Sequence, residues 1–460
     1  MRTKSGRVGI LPILAYILES IKNPAGCGCR DAPQHCFLRC PVVDSSGGRP
    51  AGLAGSVHLS VEPGDALLDP AAVVPTADVT ELLTFPPERR IHQMTSYRLG
   101  VLLGDGIGPE IVPAATAVVD AAVASAGLAP VDWVDLPLGA AAIEQYGTAV
   151  PESTLTALAG LDGWLLGPHD SAAYPEPHRS RLNPSGTIRK HFDLYANIRP
   201  AKAFEGGTAV VPGTDLVIVR ENTQGFYADR STYAGTGEFM PTPDVAVALG
   251  IITRPAVERI ARCAFELAGR RDKRVTIVHK ANVLKLTTGL FRDVCREVAR
   301  DYSEIAVDDF HIDAMTVHLV RRAADFDVIV TENMFGDILS DLAGEIAGSL
   351  GIAPSINASD THAMAQAAHG SAPDIAGRDV ANPIAMIRSS AMLLDWLAAR
   401  HGDDRLRGAA VAVERAVENA VRSGISTRDL GGTASCSAFT AAVVDAIEAV
   451  RLGAARGDRS

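Results

Sequence analysis

The sequence lacks an excess of positive charge, a long apolar run and an internal repeat. Its 460 residues carry a formal net charge of −11. Because nucleic-acid surfaces need a basic stripe to bind phosphates, this balance argues against a nucleic-acid partner. A bilayer-spanning helix needs about 20 consecutive apolar residues, and no run in this sequence approaches that length. We therefore predict a globular protein of two or three domains with no membrane partner.

Cysteine is scarce after the first 40 residues. Three cysteines stand alone in apolar or helical segments and are predicted to be reduced core thiols, as expected in the cytoplasm: Cys263, Cys295 and Cys436. Four near the start have a spacing that matches no common zinc framework: Cys27, Cys29, Cys36 and Cys40. We expect residues 1–93 to be a disordered appendage or a mis-assigned extension upstream of Met94, with a metal-binding module as the alternative.

Beyond Met94 the sequence alternates short apolar runs with helical periodicity. Runs such as "LGVLLG", "GWLLGP", "TDLVIVREN", "RVTIVHKAN" and "DFDVIVTEN" predict strands, and "NPIAMIRSSAMLLDWLAARHG" predicts a long helix. Strands that alternate with helices indicate an α/β protein with substantial parallel pairing. Functional side chains are then expected near the ends of the strands.

The segment "GDGIGPE", residues 104–110, tests whether the chain has a Rossmann dinucleotide loop. Such a loop requires G-x-G-x-x-G, in which the third glycine lets the helix pack against the strand. Here Pro109 occupies the sixth position. Proline suits the first turn of a helix, where its missing N–H is not needed. The segment is therefore predicted to be a tight strand-to-helix turn outside the Rossmann pattern.

Several cationic side chains lie near the ends of predicted strands. Arg189, Arg199 and Arg220 together suggest a ligand with more than one carboxylate, because guanidinium groups bind carboxylates in a bidentate manner. Each of them alone would be more typical of a surface ion pair. Lys280 follows the apolar run "VTIVH" and is a candidate general base, with a lysine that extends into solvent as the alternative.

Two acidic residues share one face of a predicted helix. Asp337 and Asp341 lie four residues apart in "FGDILSDLAGEIAGSLG". Like charges at this spacing destabilise a helix unless a cation compensates, and oxygen ligands suit Mg²⁺ or Mn²⁺. Asp313 is a candidate third ligand. The apolar neighbours Ile338 and Leu339 argue against the alternative of a solvated acidic face.

The loop "HGSAPDIAGRDVANP", residues 369–383, is rich in small residues that would let a flat ligand approach the backbone. Asp374 could accept hydrogen bonds from a ribose diol and would repel a 2′-phosphate, which favours NAD over NADP. An ordinary polar loop is the alternative.

Seven ordered motifs resemble those of the β-decarboxylating dehydrogenases, which include isocitrate, 3-isopropylmalate, homoisocitrate and tartrate/malate dehydrogenases. They are "GDGIGPE", "LYANIRP", "VRENTQGFY", "HKANVL", "FGDILSD", "HGSAPDIAG…ANP" and "TRDLGG", between Leu99 and Ala441. The resemblance implies an α/β, isopropylmalate dehydrogenase-like, non-Rossmann fold with two domains and a shared dimer interface. Residues 94–194 plus 348–460 would form a large cofactor-side domain, and residues 195–347 a small domain for substrate, metal and dimerisation.

The resemblance also implies a role for each matched residue. Substrate binding is implied for Arg189, Arg199, Arg220, Asn183 and Ser185. Mg²⁺ or Mn²⁺ would be held by Asp337 and Asp341, with Asp313 contributed across a homodimer. Lys280, also from across the dimer, would accept the hydroxyl proton, and Tyr227 would protonate the enolate after CO₂ leaves. NAD would be held by His369, Gly370, Ser371, Ala372, Asp374 and Asn382.

Two departures from the family pattern bear on specificity. The turn before Arg189 reads "LNPSGTIR", in which Asn183 and Ser185 offer hydrogen bonds, whereas isopropylmalate enzymes tend to place leucines there. Because burial of polar groups against an isopropyl group costs free energy, the turn favours isocitrate or a relative with a polar γ-group. The second departure is Gln366-Ala367-Ala368, where the family often has an acidic-Pro-Val stretch, so support for the cofactor is expected to differ.

Other activities remain as alternatives. They are 3-isopropylmalate dehydrogenase of leucine biosynthesis, then a tartrate/malate or homoisocitrate dehydrogenase, and a non-catalytic regulatory subunit. A regulatory subunit is disfavoured because such relatives usually lose the catalytic residues, whereas Lys280, Tyr227 and the three aspartates are present.

Overall fold

The computed structural model describes residues 96–457. The expectations for residues 1–93, including the cysteine cluster, lie outside the described residues. The strands are β1 Arg98–Leu102, β2 Asp132–Asp135, β3 Gly163–Leu166, β4 Ala196–Lys202, β5 Asp215–Glu221, β6 Glu238–Thr242, β7 Val245–Ala248, β8 Arg274–His279, β9 Ala306–His311, β10 Val328–Thr331, β11 Ile356–Ala358 and β12 Ala363–Gln366. The α-helices are α1 Gly108–Ser125, α2 Gly139–Tyr146, α3 Glu152–Leu158, α4 Pro184–His191, α5 Arg254–Gly269, α6 Thr287–Val298, α7 Ile312–Arg322, α8 Asn333–Ala347, α9 Ile384–His401, α10 Asp404–Arg422 and α11 Cys436–Gly457.

A ten-stranded mixed sheet forms the centre of the fold, in the order β2-β1-β3-β12-β11-β4-β5-β10-β8-β9. Pairing is parallel on both sides of the sheet, whereas β12, β11, β4 and β5 are mutually antiparallel in the middle. Strands buried on both faces explain runs such as "RVTIVH" in β8, in which every residue after the first is buried. The predicted α/β class is confirmed.

Helices cover the sheet. Helices α1, α9, α10 and α11 pack together beside β3 and β12, while α5 and α6 pack on β5, β8 and β10. Helix α8 lies against β4 and β5. None of the described helices has the length and apolar content needed to cross a membrane. The predicted border between the large and small domains falls where β11 pairs with β4, so one sheet continues across it, and the division into domains stays a prediction.

The three isolated cysteines within the described residues are free thiols. Cys295 and Cys436 are buried, and Cys263 is partly buried. Burial raises the pKa of each thiol, to about 12 for Cys263 and Cys436. These properties agree with the prediction of core thiols.

The glycine turn joins β1 to α1 and packs against two other loops. The backbone N–H of Asp105 donates to Pro168 O at 2.8 Å, and that of Ile107 donates to Ser371 O at 2.9 Å. Gly104 and Gly106 have positive φ values of 69° and 57°. A Cβ atom at either glycine would lie about 2 Å from the carbonyl oxygen of Pro168 or Ser371. The turn therefore needs glycine so that three backbone segments can touch, and the prediction of a tight strand-to-helix turn is confirmed.

Helix α8 begins at a buried acidic cap. The Glu332 carboxylate accepts hydrogen bonds from the backbone N–H groups of Met334 at 3.1 Å and Phe335 at 2.9 Å. Desolvation raises the pKa of Glu332 to about 7, although the two backbone donors oppose the rise. The nearby Glu221 carboxyl group is also buried, and desolvation raises its pKa. This pair lies directly behind the start of the helix that carries Asp337.

We predict that Gly104→Ala destabilises the protein more than Gly127→Ala. Both glycines have φ near +70°, but a Cβ atom at Gly127 meets no atom within 4 Å. Gly127→Ala should lose about 1 kcal/mol from the left-handed conformation alone. Gly104→Ala should lose roughly 1–3 kcal/mol more from the clash with Pro168 O. Urea unfolding of both variants measures the difference, and equal losses would contradict the close packing of the turn.

We predict that Glu332→Gln changes how stability depends on pH. In the wild type the pKa of Glu332 is about 7 in the folded chain, against an ordinary value of 4.5 in the unfolded chain. Between these two pH values the folded chain binds the proton more tightly. The contribution of Glu332 to the free energy of unfolding is therefore fully present below about pH 4.5, and it is lost as the pH rises from about 4.5 to about 7. Glutamine stays neutral, so the variant should gain on the order of 2–3 kcal/mol relative to the wild type between pH 4.5 and 8.

Denaturant unfolding across that pH range measures the effect. Replacement of an exposed carboxyl group, Glu144→Gln on α2, is the control and should leave the profile parallel to that of the wild type. A Glu332→Gln profile parallel to the wild type would show that the buried carboxyl group ionises normally.

Candidate active site

All five residues predicted to bind substrate line one cavity of about 250 Å³. Its walls come from the turn after β3, the start of α4, strands β4 and β5, helix α8 and the loop after β12. The lining residues are Pro168, His169, Asn183, Ser185, Arg189, Arg199, Arg220, Asp337, Gln366, Ala367, Ala368, His369 and Gly370. Most of these side chains are polar or charged, so the cavity suits a polar, anionic ligand.

Arg189 is buried on α4 and is oriented by neutral groups. Its Nη1 donates to Asn222 Oδ1 at 3.1 Å, and its Nη2 donates to Gln366 Oε1 at 3.0 Å. The same Gln366 oxygen accepts the Ser185 hydroxyl at 2.8 Å. Amide oxygens thus accept two of the donors of this buried guanidinium group, whose positive charge suits a carboxylate ligand.

The other two arginines are buried on adjacent strands. Arg199 Nε on β4 donates to Asn197 Oδ1 at 2.6 Å. Arg220 at the end of β5 donates from Nε and Nη2 to Asn333 Oδ1 at 3.0 and 2.7 Å. A Cβ atom at Gly336 would lie 2.5 Å from the Arg220 side chain. Glycine at that position therefore lets the arginine lie across helix α8.

The acidic pair on α8 faces these arginines. Arg199 Nη1 lies 3.4 Å from Asp337 Oδ1 and 3.3 Å from Asp341 Oδ1, and Arg220 Nη1 also pairs with Asp337. Desolvation raises the pKa of Asp337, but the charges of Arg220 and Arg199 outweigh it and hold the pKa below its ordinary value. The predicted shared face is thus present, with guanidinium groups as its compensating cations. Ile338, between the two aspartates, is half exposed.

The donor set of this pair fits a hard divalent cation only in part. Asp337 and Asp341 offer carboxylate oxygens, which Mg²⁺ and Mn²⁺ prefer. Within the described residues, no group of three or more metal-ligating side chains comes together. A cation here would need further oxygen ligands from a substrate or from another chain.

Tyr227 lies beside the acidic pair. Its hydroxyl group donates to Asp337 Oδ2 at 3.1 Å, and the guanidinium carbon of Arg220 lies 5.9 Å from its ring centre. The tyrosine therefore lies beside Asp337, which lines the cavity, and its role as a proton donor stays a prediction.

Lys280 and Asp313 lie elsewhere in this chain. Lys280 Nζ donates to Asp313 Oδ1 at 2.6 Å, and neither residue lines the cavity. The backbone N–H of Lys280 donates to Thr288 Oγ1 at 3.1 Å, and Nδ1 of the preceding His279 accepts the N–H of Ala281 at 3.1 Å. The other ring nitrogen of His279 bonds Asp309 at 2.8 Å. The structure therefore brings these two predicted catalytic and metal residues together with each other but apart from Asp337.

The predicted cofactor loop is only partly in the cavity. His369 and Gly370 line it, and the next residue, Ser371, contacts the glycine turn through Ile107. Nε2 of His369 is buried and meets no hydrogen-bond partner among the described residues. This buried ring nitrogen lies in the loop that contacts the glycine turn, and a nucleotide ligand could supply its missing hydrogen-bond partner.

The remaining cofactor candidates lie outside the cavity. Ala372 has a φ of 40°, and Asp374 is exposed. Asn382 is buried and holds the loop in place, because its Nδ2 donates to Asp429 Oδ2 at 2.8 Å and its Oδ1 accepts the N–H of Ile384 at 2.9 Å.

Sequence reasoning missed several residues of the site. Three asparagines accept hydrogen bonds from the arginines, and the sequence did not indicate this role: Asn197, Asn222 and Asn333. An isolated asparagine in a strand or at the start of a helix has no diagnostic spacing. Gln366 was recognised only as a departure from a family pattern, and its bond to Arg189 depends on the pairing of distant strands. His169 also went unnoticed, although it follows the predicted strand "GWLLGP" directly.

Comparisons with known proteins identify relatives of this chain. The profile of the isocitrate/isopropylmalate dehydrogenase family matches residues 98–447. An isocitrate/homoisocitrate dehydrogenase of Thermus thermophilus is 44% identical over 359 residues, which is 77% of this chain and 100% of that protein. A 3-isopropylmalate dehydrogenase of Archaeoglobus fulgidus is 43% identical over 352 residues, 76% of this chain and 99% of that protein.

A solved structure has a similar fold. The isocitrate dehydrogenase of Methylococcus capsulatus superposes with a TM-score of 0.68 at 38% sequence identity, covering 76% of this chain and 99% of that one. The resemblance drawn from the motifs is therefore confirmed. The chain belongs to the isocitrate/isopropylmalate dehydrogenase family of oxidoreductases.

Proposed function

We propose that this chain catalyses the NAD- and Mg²⁺- or Mn²⁺-dependent oxidative decarboxylation of a malate-type 2-hydroxy acid with a polar γ-group, as in isocitrate. The γ-group is the substituent on the third carbon of the malate core. The observation that carries the proposal is the convergence of Arg189, Arg199 and Arg220 on one polar cavity beside Asp337 and Asp341. Guanidinium groups suit the substrate carboxylates, and the aspartates suit a hard cation.

The cavity wall supports a polar γ-group over an isopropyl group. Apart from proline and alanine, its lining offers hydrogen-bonding side chains such as Asn183, Ser185 and Gln366. An isopropyl group would desolvate them without a hydrogen bond in return. 3-Isopropylmalate remains the second candidate, since the relative from A. fulgidus that carries this name is nearly as similar as the isocitrate/homoisocitrate enzyme.

Residues of this chain would act in a simple order. The three arginines bind and orient the substrate carboxylates, and Lys280 of the partner subunit accepts the hydroxyl proton. When bound, NAD at the loop with His369 would supply the hydride acceptor, and a divalent cation at Asp337 and Asp341 would supply positive charge. Once CO₂ has left, the Tyr227 hydroxyl group returns a proton to carbon.

This order requires a homodimer in which each active site takes residues from both subunits. Lys280 and Asp313 are paired with each other outside the cavity, which supports a role for both in the site of another copy of the chain. Apolar side chains remain exposed on helix α7 and on the two-stranded β6–β7 hairpin, including Val317, Val320 and Met240. Exposed apolar groups of this kind are typical of a subunit interface. We also place the enzyme in the cytoplasm, where free buried thiols persist.

The first test is reduction of NAD⁺ and of NADP⁺ by the full-length protein with Mg²⁺. Isocitrate, homoisocitrate, 3-isopropylmalate and malate serve as parallel substrates. We expect NADH formation with highest kcat/KM on isocitrate or homoisocitrate, and a fall of about 10²-fold or more in kcat for Lys280→Met. Absence of turnover on every acid would contradict the proposed activity, and NADP⁺ preference would contradict the role of Asp374.

The second test is complementation between inactive subunits. Co-expression of Lys280→Met with Asp337→Asn should restore about a quarter of the wild-type sites, because half of the dimers are mixed and each contains one intact site. Lys280→Met with Asp313→Asn is the matched control. Those two residues lie 2.6 Å apart on the same subunit, so no mixed dimer contains an intact site. Equal activity in both mixtures would overturn the shared site.

A further inference from the structure

The cavity contains one buried polar nitrogen that no proposed role uses. His169 lines the cavity, and its Nδ1 is buried with no hydrogen-bond partner among the described residues. A buried nitrogen without a partner is costly, and ligand groups commonly supply the missing hydrogen bond. The residue therefore points to a ligand contact.

The backbone around His169 is held rigidly. The N–H of Gly167 donates to Leu102 O at 2.8 Å, and Pro168 O accepts from Asp105 at 2.8 Å. On the other side, the N–H of Asp170 donates to the Asp105 carboxylate at 2.9 Å. These bonds hold the backbone of residues 167–170 against β1 and the glycine turn. The backbone position from which the His169 side chain extends is therefore fixed. Such preorganisation suits a residue that determines specificity.

The other polar groups near the predicted γ-position already make internal bonds. Asn183 Oδ1 accepts the N–H of Gly186 at 2.7 Å and so caps helix α4. The Ser185 hydroxyl donates to Gln366 Oε1, which also accepts from Arg189. Nδ1 of His169 differs from these atoms because it is buried and has no hydrogen-bond partner among the described residues, so a ligand group is needed to satisfy it.

The charge state of His169 suits a neutral contact beside an arginine. Desolvation and the charge of Arg189 lower its pKa to about 4, although Asp105 and Asp170 oppose the shift. The imidazole is therefore neutral at physiological pH and carries a single proton, which either ring nitrogen can hold. It can donate to a carboxylate from Nδ1 without repelling the Arg189 guanidinium group.

We propose that His169 is a specificity-determining residue that hydrogen-bonds the polar γ-group of the substrate through Nδ1. This inference rests on the proposed function and names the group that selects within its substrate class. A γ-carboxylate lies between two kinds of donor, the charged Arg189 and the neutral imidazole. An isopropyl group in the same place would leave the nitrogen buried and unsatisfied.

The test compares His169→Leu and His169→Asn on three substrates. His169→Leu should lower kcat/KM for isocitrate by about 10- to 100-fold, the usual cost of a lost buried hydrogen bond, and should raise it for 3-isopropylmalate. Malate has no γ-group, so its kcat/KM, or its inhibition constant as a competitor, should stay nearly unchanged. His169→Asn keeps a short donor and should lose less on isocitrate than His169→Leu.

A matched control replaces a histidine outside the cavity. His401, exposed at the end of α9, becomes leucine in His401→Leu, which should leave all three substrates unaffected. Equal losses on isocitrate and malate in His169→Leu would assign the histidine to the cofactor or to the fold and overturn the inference. No loss on isocitrate, or a wild-type preference for 3-isopropylmalate, would overturn it as well. A wild type that oxidises none of the acids contradicts the proposed function itself.

Discussion

Three buried guanidinium groups constrain the rest of this structure. Burial of an arginine is costly unless its donors are hydrogen-bonded, and amide oxygens accept from each of the three, those of Asn222 and Gln366, of Asn197, and of Asn333. Carboxylates contact two of the three as well, since Asp337 pairs with Arg199 and Arg220, and Asp341 pairs with Arg199. Together, the amide oxygens and the acidic pair stabilise the buried guanidinium groups that line the cavity.

The acidic pair on α8 depends on the same constraint. Asp337 and Asp341 would repel each other at one helical turn, but Arg199 contacts both of them. The negative charge of the two aspartates is thus partly neutralised by Arg199. Lys280 and Asp313 bond each other and do not line the cavity. The shared site proposed above would account for the apolar side chains that helix α7 leaves exposed.

The sequence was informative where spacing and local chemistry decide geometry. The i, i+4 spacing of Asp337 and Asp341 fixed their shared helix face, and Pro109 identified the turn as non-Rossmann. The arginine supports could not be predicted in this way. Gln366 reaches Arg189 only because β12 and β11 insert between β3 and β4 in the sheet, and strand order depends on long-range packing that no local pattern encodes.

The sequence by itself determined the class of the fold, the family and most of the residues around the cavity, because apolar periodicity, helix spacing and ordered motifs are local properties of the chain. Only the tertiary structure decided which groups are already hydrogen-bonded. It holds Ser185 and Asn183 in internal bonds and buries Nδ1 of His169 without a partner among the described residues. Whether a polar group needs a ligand depends on every atom packed around it, and that environment comes from segments far apart in the sequence.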